Sequence, residues 1–401
     1  MARYVFNRLL SGLLTLFLFV TLLFFLANLV IPGDFVTSLG PMSADAAATL
    51  RAELGLDRPL FQQYLDWVTS LLSLDMGESF GQGPVWEAVR FALAPTLVVL
   101  VIGLMVAFVL GGWLGRTAGY RESSYFTGSM TFIAIVCLTL FPPALAIAME
   151  QAILRNSGWS ALGRVAEIDS AAWLTSQLSP NQVLWRIFFV FLASALVLWL
   201  IESLVWRFGR RRIPRGVFLI AMLGLPLLIW SQMGITGLVL DIAGSMSLLI
   251  LAVVILTFGE VLLVTKASMD DVMLEDYVMV ARAKGLPEHQ VRDRHAARTA
   301  VLPVLSRFTV AIPYFLTGLV ILEVAFGGAA NLPIADITMR FHPPVGLGSL
   351  LFESLSNQDN PLLIGAFVVV GVLTLFVRIV LDVVHAALDP RIRFSGGAND
   401  A

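Results

Sequence analysis

Eight apolar runs, each about as long as a bilayer crossing, constrain this chain more than any other feature. A helix needs ~20 consecutive apolar residues to span the hydrocarbon core. The runs are Leu9–Ile31, Ala92–Gly115, Phe126–Met149, Val183–Trp206, Val217–Leu240, Ser245–Lys266, Thr309–Gly328 and Leu362–His385. Composition agrees: the chain is 58% hydrophobic and 13% charged, against roughly 25% charged in soluble domains. The expected fold is an all-α polytopic membrane protein.

An even number of crossings puts both termini on one side, and positive charge selects that side. With the N-terminus in the cytoplasm, the inner segments carry Arg3 and Arg8, Arg116 and Arg121, the run from Arg207 to Arg215, and Arg391 and Arg393. A long inner segment adds Lys266, Arg282, Lys284, Arg292, Arg294, Arg298 and Arg307. Outside there remain only Arg51, Arg58, Arg90, Arg155, Arg164, Arg186 and Arg340. Both termini are therefore expected inside the cell. The net charge of −2 carries no message about nucleic acid, and no nucleic-acid partner is expected. The first run ends in Ile31-Pro32-Gly33-Asp34 without a small-residue cleavage site, so it reads as a retained anchor. Between the fifth and sixth runs only Asp241 to Gly244 are left to make a turn.

The segments between spans have readable local structure. After the first span, Ser43 is placed to cap a short helix that Gly55 closes. Pro59 opens a second helix with Leu60, Tyr64, Trp67 and Leu71 on one face, suited to lie on the membrane or against the spans. Inside, Met269–Lys284 reads as one helix, Gly285 as its C-terminal turn, and Pro287 as the start of the next. This basic elbow is expected to expose Lys284, Arg292, Arg294 and Arg298; an interfacial helix held by anionic membrane lipid is the competing reading. Glu202, Glu260, Glu323 and Arg378 fall within spans, where a charge is a functional hypothesis by default. The first two and Arg378 lie near cytoplasmic ends, whereas Glu323 is deeper and is expected to line or brace a path. His289 and His295 are out of helical register for a shared metal, and His342 and His385 are isolated, so no metal site is expected. Cys137 lies mid-span without a disulfide partner.

Several of these segments carry a resemblance. Asp276-Tyr277, then Ala281-Arg282-Ala283-Lys284-Gly285-Leu286, His295-Ala296 and Leu302-Pro303 resemble the EAA loop of binding-protein-dependent ABC importers. More narrowly, they resemble the B-type permease of the dipeptide, oligopeptide and nickel group. Outer segments agree: Pro32-Gly33-Asp34, the stretch from Leu50 to Leu60 with Gly55, Leu56, Asp57 and Pro59, and Asp75-Met76-Gly77-Glu78-Ser79 with Pro84-Val85. Thr96, Gly346-Leu347-Gly348, Asp359, Asp382, Asp389-Pro390-Arg391, and Glu323 before Val324-Ala325-Phe326 also match. The resemblance covers residues 1–150 and 245–395, as a six-helix permease core. Where the general pattern has Glu-Ala-Ala this chain has Met279, Val280 and Ala281, so no glutamate role is carried over.

The resemblance implies a permease subunit of an ATP-driven importer, most simply for peptides. It implies a homologous second permease, two ABC ATPase subunits docked on the elbow, and an extracytoplasmic substrate-binding protein. The only lysines, Lys266 and Lys284, precede Ala and Gly, so there is no Walker A motif. ATP and Mg belong to the partner ATPase, and neither a cofactor nor catalysis is expected in this chain. The organisation follows: residues 1–31 as the first span, 32–91 as an extracytoplasmic helical segment, and 92–149 as spans two and three. Residues 150–244 form an inserted outer loop and extra hairpin. Residues 245–395 form the core containing the coupling loop (267–307), and 396–401 a flexible tail. A self-sufficient secondary transporter is the rival class, and would show an inverted repeat with midplane charges. Within the family, nickel, haem-precursor and oligosaccharide cargoes share these motifs.

Overall fold

The computed structural model describes residues 2–30, 34–39, 41–73, 75–120, 124–155, 178–209, 215–328 and 346–388. Pro32, Gly33, Trp159, Trp173, the turn at 210–214, the segment 329–345 and the tail 396–401 lie outside the described residues. The first half holds α1 (Ala2–Val30), the short α2 (Phe35–Ser38), α3 (Ala44–Glu53), α4 (Leu60–Leu72) and a hairpin of β1 (Glu78–Ser79) and β2 (Gly83–Pro84). Then come α5 (Val85–Tyr120), α6 (Tyr125–Thr139), α7 (Pro142–Arg155), α8 (Pro180–Gly209) and α9 (Arg215–Gln232). The second half holds α10 (Thr236–Met273), α11 (Asp276–Ala283), the single turn α12 (Glu288–Gln290) and a π-helical segment Val291–Ala296. It closes with α13 (Ala297–Gly328), α14 (Leu347–Ser356) and α15 (Asn360–Leu388).

Five of these helices, α1, α5, α8, α10 and α15, are long and apolar enough to cross a membrane unaided. Two further candidates are bent pairs: α6 with α7, at 103°, and the Glu288–Phe308 stretch with Val310–Phe326, at 56°. The apolar part of α9, Ile220–Gln232, is shorter. These elements overlap the eight apolar runs and make the chain a polytopic, predominantly α-helical membrane protein.

Three boundaries differ from the sequence reading. The third run is broken at Leu140–Phe141 because Pro142 and Pro143 lack the N–H groups that would continue the hydrogen-bond ladder. The fifth turns not at Asp241–Gly244 but at Met233–Ile235, where Gly234 takes φ +69°. The Gly234 N–H reaches the Ser231 carbonyl and the Ile235 N–H the Trp230 carbonyl, both at 3.1 Å, the paired bonds of a Schellman end. Finally, the elbow's first limb is not one helix from Met269: α10 runs to Met273, and α11 starts anew at Asp276.

The central core joins α5, α8, α10 and α13 through residues such as Val99, Leu184, Met246, Ile312 and Leu319. Its spine is the parallel pair α5 and α10. Gly103 faces Val253, Gly111 Val261, Gly115 Thr265 and Gly119 Met269, always 150 positions apart. With the buried Ala107 these small residues recur every fourth position, so the two backbones approach closely along one face. The pair α8 and α9 has one face in this core and one outside it: Val183, Leu184 and Ile187 are buried, while Phe189, Leu196 and Trp199 are exposed as lipid-facing residues would be. At the end away from the elbow, the Leu60, Tyr64, Trp67 and Leu71 stripe of α4 lies against Val20 and Phe24 of α1 and Ile364 and Val368 of α15.

Candidate functional site: the elbow and the outer seam

The elbow is a small packed unit rather than a loop. Its own core comprises Met269 and Val272 from α10, Val278 and Ala281 from α11, Val291 and Ala296 from the π-helical segment, and Ala297 and Ala300 from α13. Asp276 begins α11, where a negative charge meets the positive end of the helix dipole. The helix ends at Lys284 and Gly285, the latter at φ +75°, with Gly285 N–H to Arg282 carbonyl (2.9 Å) and Leu286 N–H to Ala281 carbonyl (3.4 Å). Tyr277 Oη donates to Thr299 Oγ1 at 3.0 Å, and Arg282 lies 3.7 Å from Glu288, so the two limbs are tied twice. Leu302 and Pro303 lie in the elbow-side part of α13, before the 56° bend into its membrane stretch.

The exposed face carries both charge and apolar side chains. Arg292 is half-buried and bonds Asp293 at 2.9 Å, while Lys284, Ala283 and Arg298 are exposed. Arg294 belongs to the π-helical segment, and its side chain lies outside the described set. Beside the cations stand Leu274 (80% exposed), Met279 and Val280. An apolar patch rimmed by charge has the composition of a docking surface.

One anchor escaped the sequence reading. Tyr120, the last residue of α5, has Arg282 and Arg292 over its ring, with Cζ atoms 5.8 and 5.9 Å from the centroid. The aromatic ring therefore joins both limbs of the elbow to the α5–α10 pair. The four-residue spacing of glycines in α5 was the signal available for that pair; nothing local marked Tyr120.

At the opposite end, motifs distant in sequence meet. Gly55 closes α3 at φ +69° with the same paired bonds as Gly285, from Gly55 N–H to Ala52 and Leu56 N–H to Arg51. Asp57 lies in the turn before Pro59, whose carbonyl accepts the first N–H groups of α4. The Gly77 N–H is held by Asp75 Oδ1 at 2.9 Å, and the buried Ser79 hydroxyl donates to Asp359. Deeper, Glu323 of α13 is 4% exposed. Its carboxylate accepts from Thr96 Oγ1 (2.7 Å) and Gly348 N–H (2.6 Å), while Leu347 N–H donates to Thr96 Oγ1 (2.9 Å). The start of α14 thus sits on Glu323, and a side chain at Gly346 would strike that carboxylate. This position braces α5, α13 and α14 together. Asp382 lines a cavity with Arg378 of α15, apart from this seam. Among the described residues no group of three or more His, Cys, Asp or Glu is placed to hold a metal ion.

The sequence matches the family of binding-protein-dependent transport system inner membrane components over residues 176–394, and the N-terminal part of that family over residues 1–86. The chain belongs to this family. The permease is a multi-pass inner-membrane protein and a non-catalytic component of a transport system. The longer match begins within the segment read from sequence as an insertion. The permease is 26% identical over 403 residues to the dipeptide transport system permease protein DppB of Escherichia coli K12, covering 98% of this chain and 99% of that one. It is 28% identical over 397 residues to the oligopeptide transport system permease protein OppB of Haemophilus influenzae, covering 98% and 100%. A DppB of Lactococcus lactis subsp. cremoris is 24% identical over 398 residues, covering 98% and 100%.

Proposed function

We propose that this permease is the B-type subunit of an ATP-driven peptide importer. It forms the path with a homologous second permease, receives substrate from an extracytoplasmic binding protein, and is driven by two ABC ATPase subunits that bind the elbow. The termini and the elbow then face the cytoplasm, and α3, α4 and the outer seam face the binding protein. Relatives named for dipeptide and oligopeptide transport support the substrate class.

The observation that carries the coupling role is the elbow's construction. A rigid turn, tied across its limbs and to Tyr120, passes a push into α5, α10 and α13 as a rigid body, which a solvated loop could not do. Its exposed Leu274, Met279 and Val280 beside Lys284 give a partner groove both apolar area and an orienting charge. Alternating access follows if ATP binding and hydrolysis bias two arrangements of the permease pair.

The test is a mild-detergent purification of the chain from its native membrane. Recovery with a second permease and Walker-motif ATPases is expected. A stable chain that comes away alone would instead favour a self-sufficient transporter.

A further inference from the structure

The upper and lower faces of α13 are unlike. Its buried side carries Phe308, Ile312, Leu316 and Leu319, while Arg307, Val310, Tyr314 and Thr317 stand exposed in one stripe at helical spacing. Two cavities flank that stripe. One, of about 580 Å³, lies towards α1 and α15; the other, of about 680 Å³, is walled by α6, α7 and α10. Tyr314 and Thr317 lie in the membrane stretch, Thr317 returning its hydroxyl to the Pro313 carbonyl at 2.8 Å, while Arg307 stands on the elbow side of the 56° bend.

The larger cavity holds one acid and one base. Glu260 of α10 and Arg307 of α13 approach to 3.5 Å, with the carboxylate side chain 19% and the guanidinium 65% exposed. Thr257, the other polar group on that stretch of α10, is buried with its hydroxyl turned back to the Val253 carbonyl at 2.7 Å. The rest of the wall is mostly apolar, including Leu256, Val264 and Phe315.

We propose that the Glu260–Arg307 pair engages the charged ends of a zwitterionic peptide during its passage, Glu260 taking the α-ammonium and Arg307 the α-carboxylate. This rests on the peptide-importer reading above. The pair and the peptide are each neutral overall, so exchanging partners leaves no charge unpaired. A solute bearing one net charge would leave either the carboxylate or the guanidinium without a partner, at a greater cost for the mostly buried Glu260 than for the exposed Arg307. The 3.5 Å approach is longer than the roughly 2.7–2.9 Å of a charge-assisted hydrogen bond, so the pair opens readily.

The experiment measures trialanine moved per ATP hydrolysed by vesicles holding this permease with its co-purified partners and binding protein. Glu260→Gln and Arg307→Gln are each expected to lower that ratio about tenfold, the scale of one charge-assisted hydrogen bond. The exchanged variant, Glu260→Arg with Arg307→Glu, is expected to stay low, because the two charges then face the wrong ends of the peptide. Arg307→Lys keeps the charge and is expected to recover most of the ratio. A ratio within twofold of the unaltered permease in either Gln variant, or its recovery on exchange, would overturn the proposal and leave a structural clasp. ATP-driven trialanine uptake by the unaltered assembly tests the importer reading separately.

Discussion

Ser79 and Asp359 stand 280 positions apart, yet the serine hydroxyl donates to the aspartate carboxylate in a buried contact. The same Ser79 oxygen accepts from the N–H groups of Gly81 and Gln82, at 3.2 and 3.0 Å, and Asp359 caps α15 by accepting from Leu362 N–H at 3.2 Å. One hydrogen bond therefore links the outer hairpin to the start of the last membrane helix.

Asp359→Ala removes both the cap and the partner of a buried hydroxyl, and should destabilise the fold by about 2–4 kcal/mol. Ser79→Ala should cost about 1 kcal/mol. Thermal melting of the detergent-solubilised permease checks the order.

The glycine stripe gives a paired prediction. A Cβ at Gly115 would lie 2.7 Å from the Leu262 carbonyl, whereas one at Gly112 meets nothing within 4 Å. Gly115→Ala should lower stability by about 1–3 kcal/mol through overpacking. Gly112→Ala should leave it unchanged or raise it by up to ~1 kcal/mol. Melting of the two variants side by side makes the comparison.

Tyr120→Leu takes away the ring beneath Arg282 and Arg292, an interaction of about 0.5–2 kcal/mol for each cation. Hydrogen exchange over residues 276–296 should then speed up while α5 remains protected. Unchanged exchange in the elbow would remove Tyr120 from the coupling account.

Asp34 receives hydrogen bonds from Arg51 and Thr37, and the Arg51 bond is the main cause that holds its carboxyl below the usual aspartate value. Because the folded value is depressed, the stabilisation is fully present above about pH 4 and is lost as pH falls through the lower, folded value. Proteolysis of the α2–α3 segment by an acid-active protease should rise as pH drops below about 4. In Asp34→Asn the segment should already be sensitive at neutral pH, with little further change.

The legible parts of this fold were those encoded by neighbours in sequence. Apolar runs marked the crossings, and glycine marked the helix ends at Gly55 and Gly285. The same signature at Gly234-Ile235 went unused, because Asp241 and Gly244 resemble a turn in hydropathy. A single aspartate and a glycine are tolerated inside a helix, whereas the chain needs a left-handed residue to end one. At the elbow, charge alone does not tell that Asp293 takes up Arg292, or that Leu274, Met279 and Val280 stand exposed. Thr96 with Glu323, and Ser79 with Asp359, are pairs made by tertiary packing, so sequence could name their members but not their union.

The elbow's role is tested most directly by Gly285→Asp, measured for peptide uptake and ATP hydrolysis in the same reconstituted assembly. An L side chain at φ +75° strains the turn although open space surrounds it, so the chain should insert normally while the elbow loses its shape. The predicted result is ATP hydrolysis that continues with uptake reduced at least tenfold. Full uptake in that variant would contradict the coupling account.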